Sequence, residues 1–228
     1  LDFQRFLGFP KEVPDHTTIW RFREHLSEAD LHDVLWDEFF NQLKKKEVEL
    51  SKGVIQDATF ITANPGKTNS SDKKDRGRGQ PSTRNEDGTW TKKGNKSYFG
   101  YKLHAKVDSE NGMVTEITLT TAKVDDREID LTKPDENAYL DKGYVGAKIR
   151  AKGKGIMKKK PKGKSMSWRD KHRNKRISSI RAKGERPFAT IKNVLDAGHT
   201  LYTELYRVFT QQFMAVFVYN LIQLKRLT

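Results

Sequence analysis

The 228-residue chain contains no cysteine, which excludes disulfide staples and thiolate metal sites and suits a reducing cytosol. Its histidines, at 16, 25, 32, 104, 172 and 199, follow none of the short spacings that hold zinc. Long apolar runs are missing as well. The strongest, Phe213 to Ile222, is interrupted by Asn220 and falls far short of the roughly 20 residues that span a bilayer. No secretory leader pattern opens the chain. Its first residue is Leu rather than Met, so the numbering is expected to start inside a longer protein.

Acidic residues are outnumbered, 30 Asp and Glu against 44 Lys and Arg, for a net charge of +14. The excess is concentrated. Residues 67–106 hold 11 basic against 4 acidic side chains, and residues 148–192 hold 18 against 2. The remainder is therefore net negative. Two basic tracts on an acidic body predict an oriented face for a polyanion rather than general solubility. A solvated or disordered basic tail is the ordinary alternative. Trp168, Ile177, Ile180 and Phe188 within the second tract argue that part of it folds.

The pattern along the chain predicts an α/β fold. Residues 15–50 read as helical: Asp15-His16-Thr17 offers capping groups, Ser27-x-x-Asp30 is a weak capping box, and Leu31, Val34, Leu35, Phe39 and Leu43 recur at helical spacing. This segment, 1–50, is expected to be a helical layer against a main domain at 51–228. Val54 to Ile61 reads as a strand, 64–97 as a long basic loop, and Tyr98–Val107 and Met113–Thr120 as a hairpin about Asp108–Gly112. A short helix is expected from Asp125, a brief strand at Ala138–Leu140, a helix from Asp141 through Ile149 and a strand near Gly155–Met157. Helical stretches at 165–197, kinked or restarted at Gly184 and Pro187, precede a C-terminal helix over 201–226. The sheet is expected to mix an antiparallel meander with parallel additions.

Three carboxylates stand out. Asp57 interrupts an apolar strand, where Asp is unusual unless paired. Asp141 closes a second strand, and a fourth strand lying beside the first would bring the two within a rung or two, at about 4.8 Å per strand. Glu185 falls in Arg181-x3-Glu185-x6-Lys192, three charges on one helical face. A turn-forming Asp and a solvated i, i+4 pair are the ordinary readings of the same residues. Converging carboxylates repel unless hard divalent cations join them, and two such ions about 3.5–4 Å apart serve phosphodiester chemistry. In that arrangement Arg181 would orient Glu185 and Lys192 would hold a neighbouring phosphate.

Ile55-Gln56-Asp57-Ala58-Thr59, Tyr98-Phe99-Gly100-Tyr101-Lys102-Leu103-His104, Leu140-Asp141-Lys142-Gly143-Tyr144 and Arg181-x3-Glu185-x6-Lys192 occur in this order. Together they resemble the DDE transposases of bacterial insertion sequences, in the insertion-sequence-5-like branch. Pro14-Asp15-His16-Thr17 with Arg21-Phe22-Arg23 is similar to the end of that family's N-terminal domain, and Ala215 to Leu224 to its terminal helix. The resemblance implies a ribonuclease-H-like core in which Asp57, Asp141 and Glu185 are catalytic and bind two Mg²⁺ or Mn²⁺ ions. It also implies hydrolytic nicking at element ends, then transesterification of the 3′ ends into target DNA. Lys158, Lys159, Lys160, Arg173 and Arg176 would line the DNA path together with Arg181 and Lys192. A homodimer or higher synaptic complex on DNA, in the cytoplasm at the nucleoid, is the expected setting. Ser178 stands where the family's helix motif usually has Tyr, which touches a phosphate or stacking contact and leaves the metal ligands intact. A non-catalytic nucleic-acid-binding derivative and a ribonuclease-H-like nuclease without strand transfer are the alternatives.

Overall fold

Strand β1 (Gly53–Ala63) carries the β-branched run read from the sequence, with Val54, Ile55, Gln56 and Ile61 almost wholly buried. The computed structural model describes residues 13–66 and 85–227, together with Gly8. A short strand β2 (Thr89–Lys93), the long β3 (Lys96–Asp108) and β4 (Val114–Thr121) follow. After them come β5 (Asn137–Leu140), β6 (Gly153–Ile156) and a two-residue β7 (His199–Thr200). The helices are α1 (His16–Glu28), α2 (His32–Lys45), α3 (Trp168–Asn193) and α4 (Leu205–Leu227).

All the strands join one sheet. Its path runs β2-β3-β1-β5-β6, with β4 also on β3 and β7 also on β1. The β1–β3 and β3–β4 pairings are antiparallel, whereas β1–β5, β5–β6 and β1–β7 are parallel. At the β1–β3 crossing the backbones come so close that a Cβ on Gly100 would lie 2.1 Å from the Ile61 carbonyl oxygen, and Gly100 has φ +145. Only glycine fits there. One face of the sheet, with Ile55, Ile61, Tyr101, Leu103 and Ala105, packs on Phe188 and Ile191 of α3 and on Val208, Val216 and Tyr219 of α4.

The N-terminal helices lie on this body. Phe39 and Leu43 bury against Met113, Trp36 donates to the Thr115 carbonyl at 2.9 Å, and Glu24 pairs with Arg207 at 2.9 Å. Burial falls on Phe39 and Leu43, while Leu31 and Val34 of the expected stripe stay exposed. Leu31 occupies the N-cap of α2 without a side-chain cap bond, so Ser27-x-x-Asp30 forms no capping box.

Four expectations need correction. The span read as loop 64–97 contains β2 and the start of β3, while residues 67–84 of it lie outside the described residues. The sequence Thr-Trp-Thr-Lys-Lys is polar on an edge strand, so alternation gave little signal there; Trp90 rests edge-on against Phe99 at 5.3 Å. The helix expected from Asp125 is a single 3-10 turn, Asp126–Glu128, and that expected through Ile149 is another, Lys142–Tyr144. Gly146, at φ +93, stops any continuation. Conversely α3 runs unbroken through Gly184 and Pro187, both buried. Proline costs that helix one backbone bond, and the packing of Pro187, Phe188 and Ile191 offsets the loss. A mixed sheet flanked by four helices among the described residues is the α/β, ribonuclease-H-like architecture.

Candidate active site

β1 has β3 along one edge from Val54 to Thr62. On its other edge β5 pairs only with Gly53–Ile55 and β7 only with Thr62–Ala63. Between them the edge of β1 is left without a strand among the described residues, and Asp57 sits in that gap. Register places its neighbour. Ile55 is level with Tyr139, so Asp57 and Asp141, each two residues further on, leave the parallel pair at the same level. Asp141 stands at the mouth of the Lys142–Tyr144 turn with extended backbone, φ -69 and ψ 165.

Arg181 of α3 joins the two carboxylates. Its Nη2 donates to Asp57 Oδ2 at 2.7 Å, and its Nη1 lies 3.8 Å from Asp141 Oδ1. Asp57 Oδ1 accepts from the Ala58 N–H at 2.9 Å. Burial pushes the Asp57 carboxyl above its ordinary pKa; Arg181 and the Ala58 N–H oppose this, and the nearby charges of Asp141 and Asp126 add to it. Arg181 is itself buried, and its Nε has no hydrogen-bond partner. One incompletely satisfied guanidinium thus faces two carboxylates.

The convergence expected from the sequence is reached only in part. Glu185 is on α3 one turn beyond Arg181 and exposed. Among the described residues no group of three or more His, Asp and Glu side chains is gathered so as to hold a metal ion. Arg181, expected to orient Glu185 and to reach DNA, is instead committed to the aspartates. The pair Asp57 and Asp141 does fit a hard divalent cation: both offer carboxylate oxygens, their mutual repulsion is only partly offset, and Asp141 remains 39 % exposed at its side chain.

The basic residues divide. Lys159, Lys160 and Arg176 are exposed. Lys158 is exposed but pairs with Asp170 at 2.6 Å, and Arg173 donates to the Ile156 carbonyl at 2.6 Å, tying α3 to β6. Lys192 lies elsewhere, at the β7 end of β1, where it lines a cavity with Ala58, Phe60 and Lys93. Sequence reading missed Asp126, which acts electrostatically on Asp57 and accepts from Lys102 at 2.9 Å. Its only signal was the Asp125-Asp126 doublet, and Asp125 is the cap of that turn.

A ribonuclease-H-like sheet with two aspartates at its open edge, beside a strongly basic surface, defines a class of nucleic-acid-processing proteins. The chain belongs to one family within it: the model of the transposase DDE domain matches residues 49–221. No solved structure matches the chain. Membership gives the protein a transposase-type function with DNA as its partner, in a family that generally uses a divalent metal.

Proposed function

We propose that this chain is the catalytic part of an insertion-sequence-5-like DNA transposase, which nicks its element's ends and joins the freed 3′-hydroxyls to target DNA. Asp57, Asp141 and Glu185 are the proposed ligands of two Mg²⁺ or Mn²⁺ ions. The observation that carries the reading is the meeting of Asp57 and Asp141 at the open edge of β1, where Arg181 faces both carboxylates. Glu185 is assigned by its place in the Arg181-x3-Glu185-x6-Lys192 motif.

Bound divalent ions would polarise the scissile phosphate and raise the acidity of the attacking water or hydroxyl. The protein's own groups do the rest. The Ala58 N–H fixes the rotation of the Asp57 carboxylate, and Arg181 opposes the effect of burial on Asp57 while lying within 3.8 Å of Asp141. Lys158, Lys159, Lys160 and Arg176 supply phosphate contacts on the outer surface, with Arg173 and Lys192 nearer the sheet. Each contact made on duplex DNA should steepen the log–log salt dependence by about 0.9. Joining two ends calls for two protomers, hence a homodimer or larger synaptic complex, at work on the cytoplasmic nucleoid.

One observation favours a second reading. Glu185 stands apart and Arg181 already bridges the aspartates, as in a DNA binder that has lost its metal site. A nuclease without strand transfer would share every residue of the first reading. The deciding experiment incubates the purified protein with labelled DNA spanning the element's boundary, with Mg²⁺ and with EDTA. Metal-dependent nicks at the boundary are expected, absent in Asp57→Asn although that variant still binds. Undiminished nicking by Asp57→Asn would remove the assignment, and calorimetry showing no Mn²⁺ uptake with or without DNA would favour the binder.

A further inference from the structure

A cavity of about 480 Å³ opens beside Ala58, Thr59 and Phe60, along the stretch of β1 that has no strand on its outer edge among the described residues. Two kinds of group meet in its wall. Phe60 of β1 and Tyr98 of β3 place their rings 5.6 Å apart at 34°, both only half-buried. Around them stand Lys92 and Lys93 from β2 and Lys192 from α3. None of these three lysines forms an ion pair among the described residues. The acid in the wall, Asp126, is taken by Lys102 at 2.9 Å. Burial, and then the charge of Lys93, holds Lys192 below its ordinary pKa, so these two cations face one another without an anion.

This differs from a second charged hollow, about 460 Å³ between α2 and the far side of the sheet. There Lys106 is satisfied by Glu116 at 2.7 Å and Glu136 at 3.3 Å. The β1 cavity offers what a nucleotide needs and a folded protein alone does not: uncompensated positive charge next to accessible aromatic rings.

We propose that the cavity is a subsite for one unstacked nucleotide of the strand being cut, its base against Phe60 and Tyr98 and its phosphate between Lys93 and Lys192. The proposal rests on the DNA-processing reading above and adds the substrate form, since a paired and stacked base cannot present its face to the two rings. The cavity is lined by Ala58 and Thr59, directly after Asp57 in the strand. Ala58 and Phe60 face away from α3, on the side of the sheet opposite the Asp57 carboxylate, so a nucleotide held there lies across the outer edge of β1 from the position proposed for cleavage. β2 becomes a functional arm that carries Lys92 and Lys93 to the DNA.

The test uses the full chain with EDTA present, so that no cleavage interferes. Anisotropy is measured with fluorescent single-stranded dT12 and with a 12-base-pair duplex, and stacking with 2-aminopurine placed centrally in a dT strand. Phe60→Leu, which keeps apolar bulk in the strand but removes the aromatic face, and Tyr98→Ala should each weaken dT12 binding roughly tenfold. Both should restore 2-aminopurine emission and leave duplex binding within about twofold. Lys93→Ala and Lys192→Ala should each lower the single-strand salt slope by about 0.7. Wild-type affinity for dT12 in both aromatic variants, or equal losses on duplex and single strand, would overturn the subsite. Boundary nicking is scored separately. Metal-dependent nicks with unaffected dT12 binding sink the subsite alone, whereas stacking at Phe60 and Tyr98 without any nicking sinks the transposase reading and keeps the subsite.

Discussion

Asp57 and Asp141 are brought together by backbone, whereas Glu185 can join them only through a side chain on a helix. The parallel pairing of Ile55 with Tyr139 fixes the level of both aspartates, at the spacing of neighbouring strands. No comparable ladder holds α3. It meets β1 by packing, through Gly184 on Ile55 and through the Arg181–Asp57 ion pair. The sheet-borne half of the proposed site is thus set by the fold itself. Of the proposed helix-borne half, Arg181 rather than Glu185 faces the aspartates.

The largest effect tests that division directly. Asp57→Asn and Asp141→Asn should each lower the nicking rate by about a thousandfold or more, several kcal/mol of transition-state stabilisation at about 1.36 kcal/mol per decade. Glu185→Gln should lose as much, and the triple variant little more, because ligands of one site act as a unit. Single-turnover nicking of boundary DNA measures all of these. A Glu185→Gln protein that nicks at close to the unaltered rate would confine the chemistry to the sheet and dismiss the helix from it.

The same division explains what could be read in advance. An Asp inside an apolar strand and another at a strand end are local signals, and parallel neighbours are a common solution, so the meeting of Asp57 and Asp141 was legible. Helix α3 was legible as helix but not as one unbroken rod. Gly184 and Pro187 are poor helix formers by local propensity, and only the sheet beneath them, which no local pattern shows, keeps the turns in place. The partner of Arg181 was misread for a related reason. Spacing of i and i+4 favours Glu185, yet a buried guanidinium goes to the carboxylate that shares its burial, and that is Asp57. β2 escaped notice because an edge strand needs no apolar alternation.

A second comparison sets Asp57 against His104, which lies across the ladder opposite Ala58. Burial acts on both, with opposite consequences. It lowers the His104 pKa to about 4, partly countered by Asp126 and reinforced by Lys102. Its Nε2 meets Thr120 Oγ1 at 2.9 Å, and its Nδ1 has no partner. The unfolded chain protonates His104 near pH 6.5, the folded one near 4. The stability that the neutral ring contributes is therefore complete above pH 6.5 and drains away as pH falls toward 4, by on the order of 3 kcal/mol. Asp57, with its pKa raised, runs the other way: its ionised form costs stability, and protonation at low pH relieves that cost. Urea unfolding from pH 7 to pH 4 should show the loss, and His104→Gln should flatten it. An unchanged slope in that variant would place the proton uptake elsewhere.

The smallest expected effect bears on how firmly the helix is seated. A Cβ on Gly184 would lie 2.6 Å from Cγ2 of Ile55, a fully buried side chain near the start of β1. Gly184→Ala recovers about 1 kcal/mol of helix propensity but forces overpacking worth about 1–3 kcal/mol. The net result should be a loss of about 1 kcal/mol, a melting temperature lower by roughly 2–4 °C in a chain of this size. In an Ile55→Leu background, which takes the Cγ2 branch out of that contact, the substitution should cost less than in the original chain if steric pressure is its cause. If Gly184→Ala instead melts higher than the original, α3 has slid on the sheet without resistance. Its seat is then soft enough that Arg181 and Glu185 can exchange places over the aspartates, and the difference between the two halves of the site becomes one of occupancy rather than of construction.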